Sequence, residues 1–239
     1  PMPVCHHRLR HDFYRSQLAD SLGRWLPEAV PAARAERADF AQRLGDWLNV
    51  ADAIALSSGL PALEAPRPTA ARGKPARAAA RQDLADQLAS LRATLTASIR
   101  QHARAGEGGA DTEFALYLQR YLDQQRRMEL AIDAFRDHAR QTLARSSPEL
   151  ARLAMLDALM ARLFDGRERQ LLSTVPSFLR RRFEQQRRRE PAPDAAEDAA
   201  APAWPGAFAR EFEQVLLAEL DARLRTVTGL VEAYARAAA

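Results

Sequence analysis

The sequence predicts an all-α chain, an elongated bundle of about six or seven helices with a long central antiparallel hairpin. Three observations carry this. A heptad stripe runs through the middle of the chain: Phe114, Leu118, Tyr121, Gln125, Met128, Ile132, Phe135 and Ala139. Its alternating spacing of four and three keeps one seam of a helix facing a partner helix. Glycine is sparse, at 10 of 239 residues, and β-branched residues are few, which argues against sheet. Alanine is abundant and favours helix while adding little buried area, so the core must come from leucines and the 7% of residues that are aromatic.

Taken in order, the pattern predicts a first helix from about Leu9 to Leu26, with Phe13, Leu18, Leu22, Trp25 and Leu26 on its buried side. Pro27 and Pro31 stop it. A second helix is anchored by Phe40, Leu44, Trp47 and Leu48 and continues brokenly through Ile54 and Leu56, until Ser57, Ser58, Gly59 and Pro61 end the regular pattern. Residues 61–77 read as a Pro/Arg-rich linker. A third helix from about Ala78 to Ala105 carries Leu84, Leu88, Leu91, Leu95 and Ile99 at spacings of four and three. Gly106, Glu107, Gly108 and Gly109 make a tight connection, and Asp111 or Thr112 caps the fourth helix, which bears the heptad stripe. Two long helices joined this closely should form an antiparallel hairpin.

Ser146, Ser147, Pro148 and Glu149 form a helix start, with a serine cap and proline in the first turn. The fifth helix carries Leu150, Leu153, Leu156, Met160 and Leu163 and is expected to end at Asp165-Gly166. A sixth segment from about Glu168 to Arg189 contains Pro176, which must either kink it or begin a new helix. An acidic Pro/Ala-rich linker over 190–206 leads to a last helix from about Phe208 to Arg236, with the stripe Leu217, Leu220, Leu224, Val227, Val231 and Tyr234. The expected organisation is therefore an N-terminal helical segment (1–60), a linker (61–77), a central bundle (78–189), an acidic linker (190–206) and a C-terminal helix (207–239) packing back on the bundle.

Charge narrows the function classes less than it first suggests. The 35 basic residues, of which only Lys74 is lysine, face 31 acidic ones, a net +4 that does not by itself imply nucleic-acid binding. Cys5 is the single cysteine, so an internal disulfide is excluded. No apolar run approaches the roughly 18–20 residues of a membrane span, and the N-terminus lacks a signal peptide's apolar segment, so a cytoplasmic protein is expected.

The chemical constellations are weak. Cys5, His6, His7 and His11 cluster, and His7 and His11 have the spacing of helical metal ligands, but no further ligand follows at a diagnostic interval. Ser57-Ser58-Gly59 lacks the preceding glycine of a nucleophile elbow, and Gly106–Gly109 lacks the lysine of a phosphate loop. Glu129, Asp133, Glu168, Glu211, Glu213 and Glu219 are scattered, and His102 and His138 are isolated, as expected of helix surfaces. No acid, base and nucleophile set assembles, so neither an enzyme nor a cofactor is expected. The densest basic run, Arg180, Arg181, Arg182, Arg187, Arg188 and Arg189, suits an anionic surface of nucleic acid or membrane. The reading it suits better is a solvated helix end, where cations complement the dipole and the acidic linker follows, its Asp194, Glu197 and Asp198 able to fold back on the arginines.

Three stretches carry a family resemblance: Trp47-Leu48 with Asp52-Ala53-Ile54-Ala55-Leu56-Ser57; Leu156-Asp157-Ala158-Leu159-Met160 through Arg167 to Pro176, with Phe183; and Val215 to Leu224. Together they resemble the proteobacterial domain-of-unknown-function family numbered thirty-three forty-eight. The resemblance covers most of the chain and supplies no activity and no functional residues. It implies a gene context beside an OmpA-like protein and a membrane protein resembling proton-channel subunits, hence a cytoplasmic part of an envelope-associated complex. The expected function is a non-enzymatic interaction or scaffold protein, with the seam from Phe114 to Phe135 docking a partner helix or a second copy of the chain; the alternative is an arginine-mediated binder of nucleic acid or anionic membrane.

Overall fold

The structure, a computed structural model, describes residues 18, 52, 54, 57–59, 61, 74–104, 113–189 and 204–237. Most of the first two expected helices, the Cys5/His6/His7/His11 cluster, the Gly106–Gly109 turn and the acidic segment 190–203 lie outside the described residues. Within them the protein is all-α, without a strand: α1 (Lys74–Arg104), α2 (Phe114–Ala144), α3 (Pro148–Leu172), α4 (Val175–Arg188) and α5 (Trp204–Arg236). Leu18 is helical and buried, as its stripe requires.

Several boundaries differ from the sequence reading. Ser57, Ser58, Gly59 and Pro61 are helical rather than terminators. Ser57 turns its hydroxyl back to the Ile54 carbonyl at 2.9 Å. Gly59 is there for close packing, since a Cβ at that position would sit 2.8 Å from Leu159 Cδ2. Helix α1 begins at Lys74, four residues early, because Pro75 falls in the first turn, where its missing N–H has no intrahelical partner to lose. Helix α3 does not stop at Gly166 but runs on to Leu172; a glycine with open space around it weakens a helix by about 1 kcal/mol without ending it. Pro176 starts α4 rather than kinking a longer helix. The Ser147-Pro148 start holds: Leu150 N–H donates to Ser147 Oγ at 3.2 Å. Backbone and Ser147 hydrogen bonds keep the exposed Glu149 carboxyl below the usual carboxylate range.

Packing groups the described residues into two units, each assembled from separated stretches of the chain; α1, α2 and α5 each contribute residues to both. The described residues of the first unit are 18, 87–104, 113–134, 173–189 and 204–227. Its centre is aromatic: the Tyr117 ring meets Phe208 at 4.8 Å and Phe212 at 5.3 Å, and Phe183 meets Phe208 at 5.1 Å and Trp204 at 5.0 Å, in edge-on arrangements that match ring edge to ring face. Leu95, Ile99 and Ala103 of α1 and Val215, Leu216, Leu220 and Leu224 of α5 complete it.

The second unit, with described residues 52, 54, 57–59, 61, 74–86, 135–172 and 228–237, has a different interior. Small and aliphatic side chains dominate: Ala139, Leu143, Leu150, Ala151, Ala154 and Leu163. Asp157 is clamped by two arginines of α2, Arg136 through two bonds of 2.7 and 2.8 Å and Arg140 at 2.7 Å. Buried Ser146 donates to the Thr142 carbonyl at 2.7 Å and lies 3.3 Å from the Tyr234 hydroxyl.

Candidate functional site

The expected partner seam of α2 is not a free surface. Tyr121, Met128, Ile132 and Phe135 are buried, and Phe114, Leu118 and Gln125 are half-buried. Phe114 lies 5.7 Å from the Phe183 ring of α4, and Tyr121 and Gln125 reach α5. The seam therefore serves the chain's own fold, a correction to its expected role in docking. Its N-terminal half is also offset by one residue. Tyr117 and Gln124 are fully buried where Leu118 and Gln125 were expected to be, because the aromatic cluster draws Tyr117 inward.

At the centre of the first unit this seam meets a buried carboxylate that sequence reading left among scattered acids. Glu219 of α5 has no solvent exposure. It accepts a hydrogen bond from the Tyr121 hydroxyl at 2.8 Å, one from Gln125 Nε2 at 3.1 Å and one from Arg223 Nε at 2.9 Å. Gln125 also donates to the Tyr121 oxygen at 2.6 Å. Burial, and then the Glu219 charge, push the Tyr121 hydroxyl far above the ordinary tyrosine range, so it stays a donor. Every group here faces another protein group, which suits a structural lock better than a reaction centre.

The arginine run divides by face. Arg182 points inward and forms a two-pronged pair with Glu211 of α5 at 2.6 and 2.7 Å, which raises its pKa further. It is a structural tie and leaves the candidate set. Arg180 and Arg188 are exposed and both lean on Glu184, at 3.2 and 3.7 Å; Arg181, Arg187 and Arg189 are exposed as well. The outer face of α4 is thus cationic with one carboxylate inside it, opposite the buried side formed by Val175, Leu179, Phe183 and Gln186.

A third surface was not anticipated. Leu122 and Leu130 of α2 are 51% and 64% exposed, on the side of the helix away from the seam. Leu130 borders an open groove of about 610 Å³ whose lining also includes His102, Asp123, Arg126, Arg127 and Ala131. One wall rests on Ser98: its carbonyl accepts from His102 Nδ1 at 2.8 Å, and its hydroxyl accepts from Arg127 Nη1 at 2.7 Å and from Gln124 Nε2 at 3.2 Å. His102 is thus half-buried and hydrogen-bonded rather than a free surface residue. The sequence did hold a signal, two leucines on the polar side of an amphipathic helix.

No group of histidine, cysteine and carboxylate side chains able to hold a metal ion occurs among the described residues. Nor is any described helix long and apolar enough to cross a membrane. A family model described as "Protein of unknown function (DUF3348)" matches residues 6–236. The chain belongs to this family. The match extends over all five helices and hence over the buried Glu219 lock, the α4 arginines and the α2 groove alike. No curated protein and no solved structure matches the chain.

Proposed function

We propose that this chain is a non-enzymatic helical interaction protein, a cytoplasmic scaffold that binds a protein partner through the outer face of α2. The observation that carries the reading is the exposure of Leu122 and Leu130 on that face while the seam behind them is consumed by the chain's own core. Two leucines held at the surface of one helix, two turns apart, are positions that a partner can cover. The gene context implied by the family resemblance directs the first search to the cytoplasmic parts of an OmpA-like protein and a proton-channel-like subunit.

The test is sedimentation of the purified chain alone and mixed with those parts, repeated with Leu122→Glu. The reading requires a complex, with a partner or with a second copy, that Leu122→Glu dissolves. A wild-type chain that stays monomeric in every mixture would sink it.

The cationic face of α4 supports a second reading, attachment to nucleic acid or to anionic membrane. Salt separates the two. Contacts to phosphates weaken steeply as ionic strength rises, whereas apolar docking on α2 does not.

A further inference from the structure

We propose that the groove bordered by His102 and Leu130 binds an acidic, apolar-anchored helical segment of the partner, with a partner carboxylate on Arg126 and Arg127 and an apolar side chain on Leu130 and Ala131. The inference rests on the scaffold reading above and specifies the chemistry of its partner. Asp123, Arg126, Arg127, Leu130 and Ala131 follow one another at helical spacing, so they form one stripe of α2. That is the pattern by which one helix receives another, reading successive turns.

Charge along the stripe selects the occupant. Arg126 and Arg127 are exposed, with Asp123 one turn away on the same stripe. Arg127 is held by its bond to Ser98 Oγ, itself tied to buried Gln124, so the guanidinium is positioned before a ligand arrives. A guanidinium carries five N–H donors and the Ser98 bond uses one, leaving donors for a carboxylate. Leu130 and Ala131 follow one turn further along and supply an apolar patch that a purely ionic ligand, such as phosphate, would leave uncovered. A segment presenting leucine and glutamate one turn apart satisfies both ends; a nucleic-acid strand satisfies only the first.

The experiment is fluorescence anisotropy of the full chain with a labelled amphipathic helical peptide of leucine, glutamate and alanine. Binding is expected to weaken by about tenfold or more in the double variant Arg126→Gln/Arg127→Gln and in Leu130→Ser. It should weaken equally when the peptide's glutamates become glutamine or its leucines become alanine. Arg126 and Leu130 are exposed and make no side-chain bond among the described residues, so Arg126→Gln and Leu130→Ser should unfold thermally like the wild type; Arg127→Gln gives up the Ser98 bond, so Arg126→Gln is also measured alone and should weaken binding without a change in stability. The inference is overturned by absence of binding, by affinity indifferent to these substitutions, or by displacement of the peptide by inorganic phosphate, an oligonucleotide or anionic vesicles. Partner binding that is lost in Leu122→Glu but kept in the arginine double variant leaves the scaffold reading standing and removes the groove; binding kept in both removes both.

Discussion

The two units of this protein bury their polar groups in opposite ways. In the first, one carboxylate, Glu219, is wholly inside and is satisfied by a phenol, an amide and a guanidinium, beneath an aromatic cluster. In the second, Asp157 sits at the margin, 11% exposed, between two arginines, above a core of alanine and leucine. Both carboxylates are paired, yet the interior one has no access to water if a partner is lost. Burial rather than the number of partners should therefore decide what each contributes.

The largest expected effect breaks that comparison directly. Glu219→Ala removes the acceptor of the Tyr121 hydroxyl, one of the two acceptors of Gln125 Nε2 and the buried carboxylate beside Arg223, and should lower the unfolding free energy in urea by about 3–5 kcal/mol. Asp157→Ala leaves Arg136 and Arg140 closer to solvent and should cost about 2 kcal/mol, with the loss shrinking as salt is raised. Equal costs for the two would remove the distinction between the units.

Alkali offers a sharper probe of the interior site. An unfolded chain releases the Tyr121 proton near pH 10, while the folded chain holds it. Stability from this group is thus complete below about pH 10 and should fall above it by about 1.4 kcal/mol per pH unit. Tyr121→Phe should remove that share of the alkaline slope, and an unchanged slope would contradict the assignment.

Smaller effects test the helix surfaces. Gln186 is buried on α4, and its Oε1 has no hydrogen-bond partner among the described residues, so Gln186→Leu should gain about 1 kcal/mol. Leu122→Ser, on the outer face of α2, should change stability by less than about 0.5 kcal/mol while weakening the partner complex. A large loss of stability there would mean that the leucine belongs to the fold.

What the sequence made legible follows from where the physics is local. The Ser147-Pro148 helix start depends on neighbouring residues and was readable from them. The all-α class followed from the heptads and from the scarcity of glycine. The exact buried face of α2 depended on Phe183, Phe208 and Phe212, which lie far along the chain, so Tyr117 and Gln124 were each missed by one position. Nothing within the arginine run marks Arg182 as the inward one; Glu211, across 29 residues, does. Ser57 to Gly59 looked like a terminator because composition alone cannot show that Leu159 needs the space a glycine leaves.

The Glu219 lock also limits how the first unit can move. Sliding α5 along α2 by one turn, about 5.4 Å, would replace Glu219 with Val215 or Arg223 opposite Tyr121 and Gln125. Val215 offers those donors no acceptor, and Arg223 would bring a cation against them. Shear between packed helices, a common route for transmitting a binding event, is thereby closed to this pair. Any motion of the first unit that keeps these bonds carries its stretches of α2 and α5 together.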